Sequence, residues 1–241
     1  MPLVKANIRH SVAAYFSNYV TEKKLEDCLN MLSFMDQKEL KRRYEFGGAK
    51  MPGSVLGYND GKSSNIAHDI KSPAMNGRVG EHKIEGSSGF KINYAFVTAV
   101  HENLHMMSAN DQPGETRRGI MVGGNETARA MNEAITEYFT YLSCGGENLY
   151  GGLYPGVYSG YQILMQEIPI IEKAVGRDCI MDAYFNNRPE ILQQKIDAII
   201  GNGAWEDMCA ASYDLMYFNN INGGSSRLIK FLEKLKHTEL I

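Results

Sequence analysis

Cysteine is scarce: Cys28, Cys144, Cys179 and Cys209 are widely spaced and form no C-x-x-C pair, so neither a zinc ribbon nor a dithiol redox motif is present. Two disulfides are arithmetically possible, but free buried thiols are the expected state in a chain of 241 residues. No apolar run approaches the length of a membrane span. The net charge of −3 offers no basic footprint for nucleic acid. The glycine pairs Gly145-Gly146 and Gly151-Gly152 belong to neither a G-x-G-x-x-G fingerprint nor a Walker loop, which removes nucleotide binding. At the start, Lys5 and Arg9 precede a moderately apolar stretch diluted by Ser11, Asn18 and three aromatics, with no small-residue cleavage site after it. A cytoplasmic protein is expected on that pattern, and secretion of a form whose leader has been removed stays open.

What remains is a hydrophobic content of 44%, enough for a substantial core in one domain or in two closely packed lobes. The expected class is α+β, predominantly helical. From Thr21 to about Phe46, Leu25, Cys28 or Leu29, Leu32, Met35 and Leu40 recur among lysines and glutamates as one amphipathic helix that Gly47-Gly48 ends. Residues 49–91 change to Gly, Ser, Asn and Lys with short apolar runs, and Asn59-Asp60-Gly61 signals a hairpin turn, so two or three short strands are expected. Residues 109–125, with Pro113 and four glycines, read as a loop, and Asn125 as a helix cap. Beyond Pro155, helices are predicted near 157–175, 178–186, 189–200, 204–218 and 225–236. The expected organisation is a mixed lobe over 1–146 and a helical lobe over 147–241 closing a cleft, or one compact domain containing both.

The chemistry is concentrated in His101-Glu102-Asn103-Leu104-His105, an H-E-x-x-H pattern. Its flanks are helical in period, since Phe96, Val100, Leu104 and Met107 recur at spacings of four, four and three. Two histidines four apart share a helix face, so both imidazoles reach one ion, and Glu102 approaches the open coordination site as a general base. Neutral imidazoles leave Zn²⁺ its full double charge, so a third ligand is needed, preferably a carboxylate. Asn132-Glu133-Ala134-Ile135-Thr136-Glu137-Tyr138 provides two candidates on one helical face, beside apolar Ala134, Ile135, Tyr138 and Leu142. Glu133 is assigned as the third ligand and Glu137 as an acceptor for a ring N–H of His101; spacing alone leaves the reverse order open. His10, His68, His82 and His237 have no ligand spacing and read as core or boundary residues, and Met106-Met107 as packing.

HENLH followed by NEAITEY resembles the gluzincin branch of the zinc metallopeptidases, which includes thermolysin-like enzymes. The match covers residues 96–142, less than a fifth of the chain. The resemblance implies that His101, His105 and Glu133 bind zinc, that Glu102 activates water and that Glu137 orients a histidine. It implies a zincin-like fold with a small sheet before the motif helix, whose edge, within residues 53–92, holds an extended peptide by backbone pairing. The family's orienting residue is usually aspartate, and Glu137 is one methylene longer, which leaves its hydrogen-bond partner in question. Thermolysin-like enzymes stabilise the oxyanion with tyrosine and histidine side chains after the third ligand; here Tyr154 and Tyr158 are the candidates. The expected function is a zinc-dependent peptidase acting on a peptide or protein substrate. The alternative is a non-catalytic zincin-like module that keeps the metal and grips a protein partner.

Overall fold

Asp36 ends one reading of the sequence and begins another. The stretch expected as a single helix from Thr21 to Phe46 is broken into two helices by a strand, because Leu32–Met35 pairs in parallel with a later strand instead of continuing the helix. In the computed structural model the described residues are 2–46, 48, 50–51, 57–60, 62–67, 81–83, 91–110, 115–144, 159–218 and 223–236. The chain opens with α1 (Pro2–Phe16) and α2 (Glu22–Asn30), followed by β1 (Leu32–Met35) and α3 (Gln37–Phe46). Thr21 caps α2 by accepting from the Lys24 N–H at 3.2 Å. The Asp36 carboxylate accepts from the Glu39 N–H at 2.7 Å and so starts α3 afresh. Apolar residues at helical spacing were present throughout, but pairing of β1 with its neighbour overrides that period locally.

Strands β2 (Gly57–Asn59) and β3 (Ser64–Ala67) form the expected hairpin, with the turn held by Asp60, whose carboxylate accepts from the Lys62 and Ser63 amides at 2.9 and 2.6 Å. The sheet order is β1-β3-β2, with β3 parallel to β1 and antiparallel to β2. All four residues of β3 are buried, as expected of a central strand. A second small ladder pairs β4 (Glu81–Lys83) with β5 (Lys91–Asn93), which runs directly into α4 (Tyr94–Met107). Two short strands, β6 (Arg117–Arg118) and β7 (Met121–Val122), then make a hairpin inside the segment expected as loop. A 3₁₀ turn (Glu126–Ala128), capped by Asn125, leads into α5 (Arg129–Ser143). The remaining helices are α6 (Ser159–Val175), α7 (Arg177–Phe185), α8 (Pro189–Ile200), α9 (Ala204–Tyr217) and α10 (Gly223–Lys236). All five stand within two residues of the sequence expectation. Pro189 opens α8 at a position where its missing N–H has no helical acceptor to lose.

The described residues are thus predominantly helical with a small sheet. The chain divides into two compact units, Met1–Met107 with Phe139–Val157, and Ser108–Tyr138 with Tyr158–Ile241. In the first, α4 packs on α1, α2, β2 and β3 around Ile8, Val12, Leu29, Ile66, Val100, Leu104 and Met107, all nearly inaccessible to solvent. The Phe16 and Phe139 rings meet at 5.2 Å within the same core. In the second, α6 to α10 pack on one another around Leu164, Ile168, Ile180, Leu192, Ile196, Met208 and Leu228. Each such side chain contributes about 1.5–3 kcal/mol by leaving water, which is what holds helices of ordinary propensity in place. The four cysteines are free thiols, buried as expected at Cys28, Cys179 and Cys209 but only half-buried at Cys144, and no helix among the described residues is long and apolar enough to cross a membrane.

Candidate metal centre

Helix α4 presents its motif as the apolar period requires. Val100, Leu104 and Met107 of the expected stripe are buried, together with Val97, while Phe96 is half-buried, as are His101 and His105. Their Nε2 atoms are 3.1 Å apart, with the rings nearly perpendicular at 76°. Two nitrogens bound to one tetrahedral zinc at about 2.0–2.1 Å would be separated by about 3.3 Å, so the spacing suits a shared ion. It also suits an N–H···N hydrogen bond between one protonated and one bare nitrogen.

Glu102 lies between the two histidines in sequence and is only 9% exposed. Two neighbours shape its surroundings. The Ser64 hydroxyl donates to the Glu102 backbone carbonyl at 3.1 Å, tying β3 to α4. Gly57 of β2 approaches so closely that a methyl group there would stand 2.8 Å from Thr98 Cγ2 and 3.1 Å from Glu102 Cγ. Glycine at position 57 is therefore what lets β2 lie against the helix at Glu102.

On α5 the N-E-x-x-T-E segment divides its work between two faces. Asn132 and Thr136 are fully buried and structural. The Asn132 carbonyl oxygen accepts from the Ile120 amide at 3.0 Å, and Thr136 Oγ1 donates to the Asn132 backbone carbonyl at 2.8 Å and meets the Tyr184 hydroxyl at 2.7 Å. The β6–β7 turn is held from its other side by Asn187, whose amide donates to the Ser108 and Gly119 carbonyls at 2.7 and 3.0 Å. Asn187 itself has a positive φ of 54°, a conformation that asparagine tolerates better than most residues. None of these groups stands in a recognisable motif of its own; the one signal in the sequence is the position of Asn132 beside Glu133.

Glu133 is half-buried, and one carboxylate oxygen from it lies with a ring nitrogen from each of His101 and His105 in a group whose atoms are all within 4.8 Å of one another. Two imidazoles and a carboxylate are the donor set that suits zinc. Glu137, one turn further along α5, is 4% exposed and is not in that group. Tyr154 and Tyr158 lie outside the described residues, as do His68, His237 and the side chain of His82. His10 is exposed, on α1, rather than at the boundary expected of it. No protein-family model matches the chain, and no curated protein or solved structure is significantly similar to it.

Proposed function

We propose that this chain is a zinc-dependent peptidase of gluzincin type, in which His101, His105 and Glu133 hold the ion and Glu102 acts as general base. The observation that carries the reading is the convergence of His101, His105 and Glu133 within 4.8 Å, from helix stretches 28 residues or more apart in the chain, next to a nearly buried Glu102. Zinc bound by two neutral histidines and one carboxylate supplies Lewis acidity and brings the pKa of water to about 7. The chain's own residues account for the rest. A carboxylate oxygen of Glu102 takes a proton from the attacking water and passes it to the leaving amine. Glu137 is the acceptor proposed for a ring N–H of His101, fixing which nitrogen faces the ion.

The substrate edge fits β2. It pairs with β3 on one side and lies at the margin of its sheet among the described residues, with Gly57 against Glu102. A peptide added beyond it as a further strand would be held by backbone hydrogen bonds close to the base. Elemental analysis of the zinc-loaded chain, together with cleavage of a broad peptide library, tests the proposal. One zinc per chain and cleavage that disappears in Glu102→Gln are expected. A chain that stays metal-free in zinc-replete medium would overturn it, and zinc binding without cleavage of any library member would favour the non-catalytic module.

A further inference from the structure

Arg129 opens α5 four residues before Glu133, on the same face of the helix. Its guanidinium carbon stands 5.9 Å from the centroid of the Tyr217 ring. Tyr217 is there because α9 packs on the 3₁₀ turn that precedes α5. Tyr213 and Phe218 complete an aromatic group around it, with ring centroids 4.7 Å apart for Tyr213–Tyr217 and 5.9 Å for Tyr213–Phe218. Phe218 is 69% exposed and Tyr217 43%, so the group is open to solvent beside a cation.

Such a combination is costly to leave idle, because large apolar rings gain by being covered. Arg129 pairs with Glu126 at 3.2 Å, and both side chains are more than half exposed. Exposed pairs of this kind contribute little, so a better-placed carboxylate displaces Glu126 readily. A guanidinium can make two parallel hydrogen bonds to a carboxylate, which lysine cannot make. The Tyr217 phenol, like any tyrosine, is a hydrogen-bond donor at neutral pH.

We infer that Arg129 and Tyr217 form a subsite for a carboxylate of the peptide substrate, one helical turn from the ligand Glu133. The inference rests on the peptidase reading and narrows it to substrates that present a carboxylate near the scissile bond. The carboxylate is either the free C-terminus or an Asp or Glu side chain near the scissile bond, since the two present the same group. The aromatic rings of Tyr213 and Phe218 cover the apolar part of the same substrate residue or its neighbour.

The test uses the full chain as its zinc-loaded Glu102→Gln variant, so that binding is read without turnover. Fluorescein-labelled hexapeptides are titrated in matched pairs, one pair differing in a C-terminal carboxylate against amide, the other in an internal glutamate against glutamine. In at least one pair the carboxylate member is expected to bind about tenfold tighter, which corresponds to about 1.4 kcal/mol. Arg129→Gln in that background should remove the difference with zinc content unchanged, and Arg129→Lys should keep part of it. A preference in the first pair assigns the C-terminus and in the second a side chain. Equal binding within both pairs, no binding of any member, or a preference that survives Arg129→Gln overturns the subsite. Cleavage by the unaltered chain without carboxylate preference removes the subsite and leaves the peptidase reading standing. A preference that vanishes with Arg129→Gln while the unaltered chain cleaves nothing does the reverse.

Discussion

Gly57 and Glu102 are set so close that a single added methyl group at Gly57 would stand 3.1 Å from the Glu102 side chain and 2.8 Å from Thr98. Gly57→Ala must therefore push β2 away from α4 or move Glu102. Overpacking of this kind costs about 1–3 kcal/mol. At about 2–4 °C per kcal/mol for a chain of this size, a thermal melt is expected to fall by several degrees. Peptide cleavage should fall further than the melt accounts for, with zinc content intact. Unchanged cleavage in a destabilised Gly57→Ala protein would separate β2 from the site.

The ligand set is expected to divide cleanly by readout. His101→Ala, His105→Ala and Glu133→Ala each remove one of three donors and should release zinc, seen by elemental analysis after dialysis. Glu102→Gln removes the base and keeps the ligands, so zinc stays while cleavage falls about 10²–10⁴-fold. Glu137→Gln tests the orienting role: zinc affinity should weaken about 10–100-fold, as for other groups hydrogen-bonded to ligand histidines. If Glu137→Ala rather than Glu133→Ala abolishes binding, the two glutamates exchange roles.

Tyr184 and Thr136 share a hydroxyl–hydroxyl hydrogen bond in a fully buried setting, 2.7 Å long, next to the Asn132 anchor of the β6–β7 turn. Tyr184→Phe deletes one partner and leaves Thr136 bonded to the Asn132 carbonyl, so a loss of about 1 kcal/mol is expected in denaturant melts. Thr136→Val removes both the Tyr184 contact and the bond to the Asn132 backbone carbonyl, and should cost more, about 1–3 kcal/mol. Equal stability of the two variants would contradict this ordering.

Glu167 on α6 is 6% exposed, and its Oε2 meets no hydrogen-bond partner among the described residues. Burial pushes its carboxyl from an ordinary 4.5 up to about 8, with Lys236 opposing. In the folded chain it holds its proton to a higher pH than in the unfolded chain. Its favourable contribution is complete below about pH 4.5 and is lost as pH rises towards about 8. Glu167→Gln is therefore expected to match the unaltered protein near pH 4.5 and to be the more stable near pH 8. Melts across that range check it, and parallel curves would remove Glu167 as the source.

Much of the helical half was readable before any fold was known. Leu192 and Ile196 mark a buried helical face in α8, and Pro189 and Gly201 punctuate its ends, so local composition and period agree with the tertiary result. The stretch around Leu32–Met35 was not readable, because strand pairing with Ser64–Ala67 is a non-local choice that its own period does not record. The β6–β7 hairpin was hidden for a related reason: with two residues per strand, it is held by Asn132 and Asn187 from other elements.

By itself, the sequence determined the chemistry available: an H-E-x-x-H pattern at helical spacing, a downstream pair of glutamates four apart, and no motif for nucleotide or nucleic-acid binding. Those properties follow from residue type and from the fixed 3.6-residue period, which need no knowledge of the rest of the chain. Only the tertiary structure decided which carboxylate joins His101 and His105 within 4.8 Å, that Gly57 lies against Glu102, and that Tyr217 stands over Arg129. Each of these depends on which residues distant in sequence the burial of apolar faces brings together, and a period read along one segment carries no record of its partner.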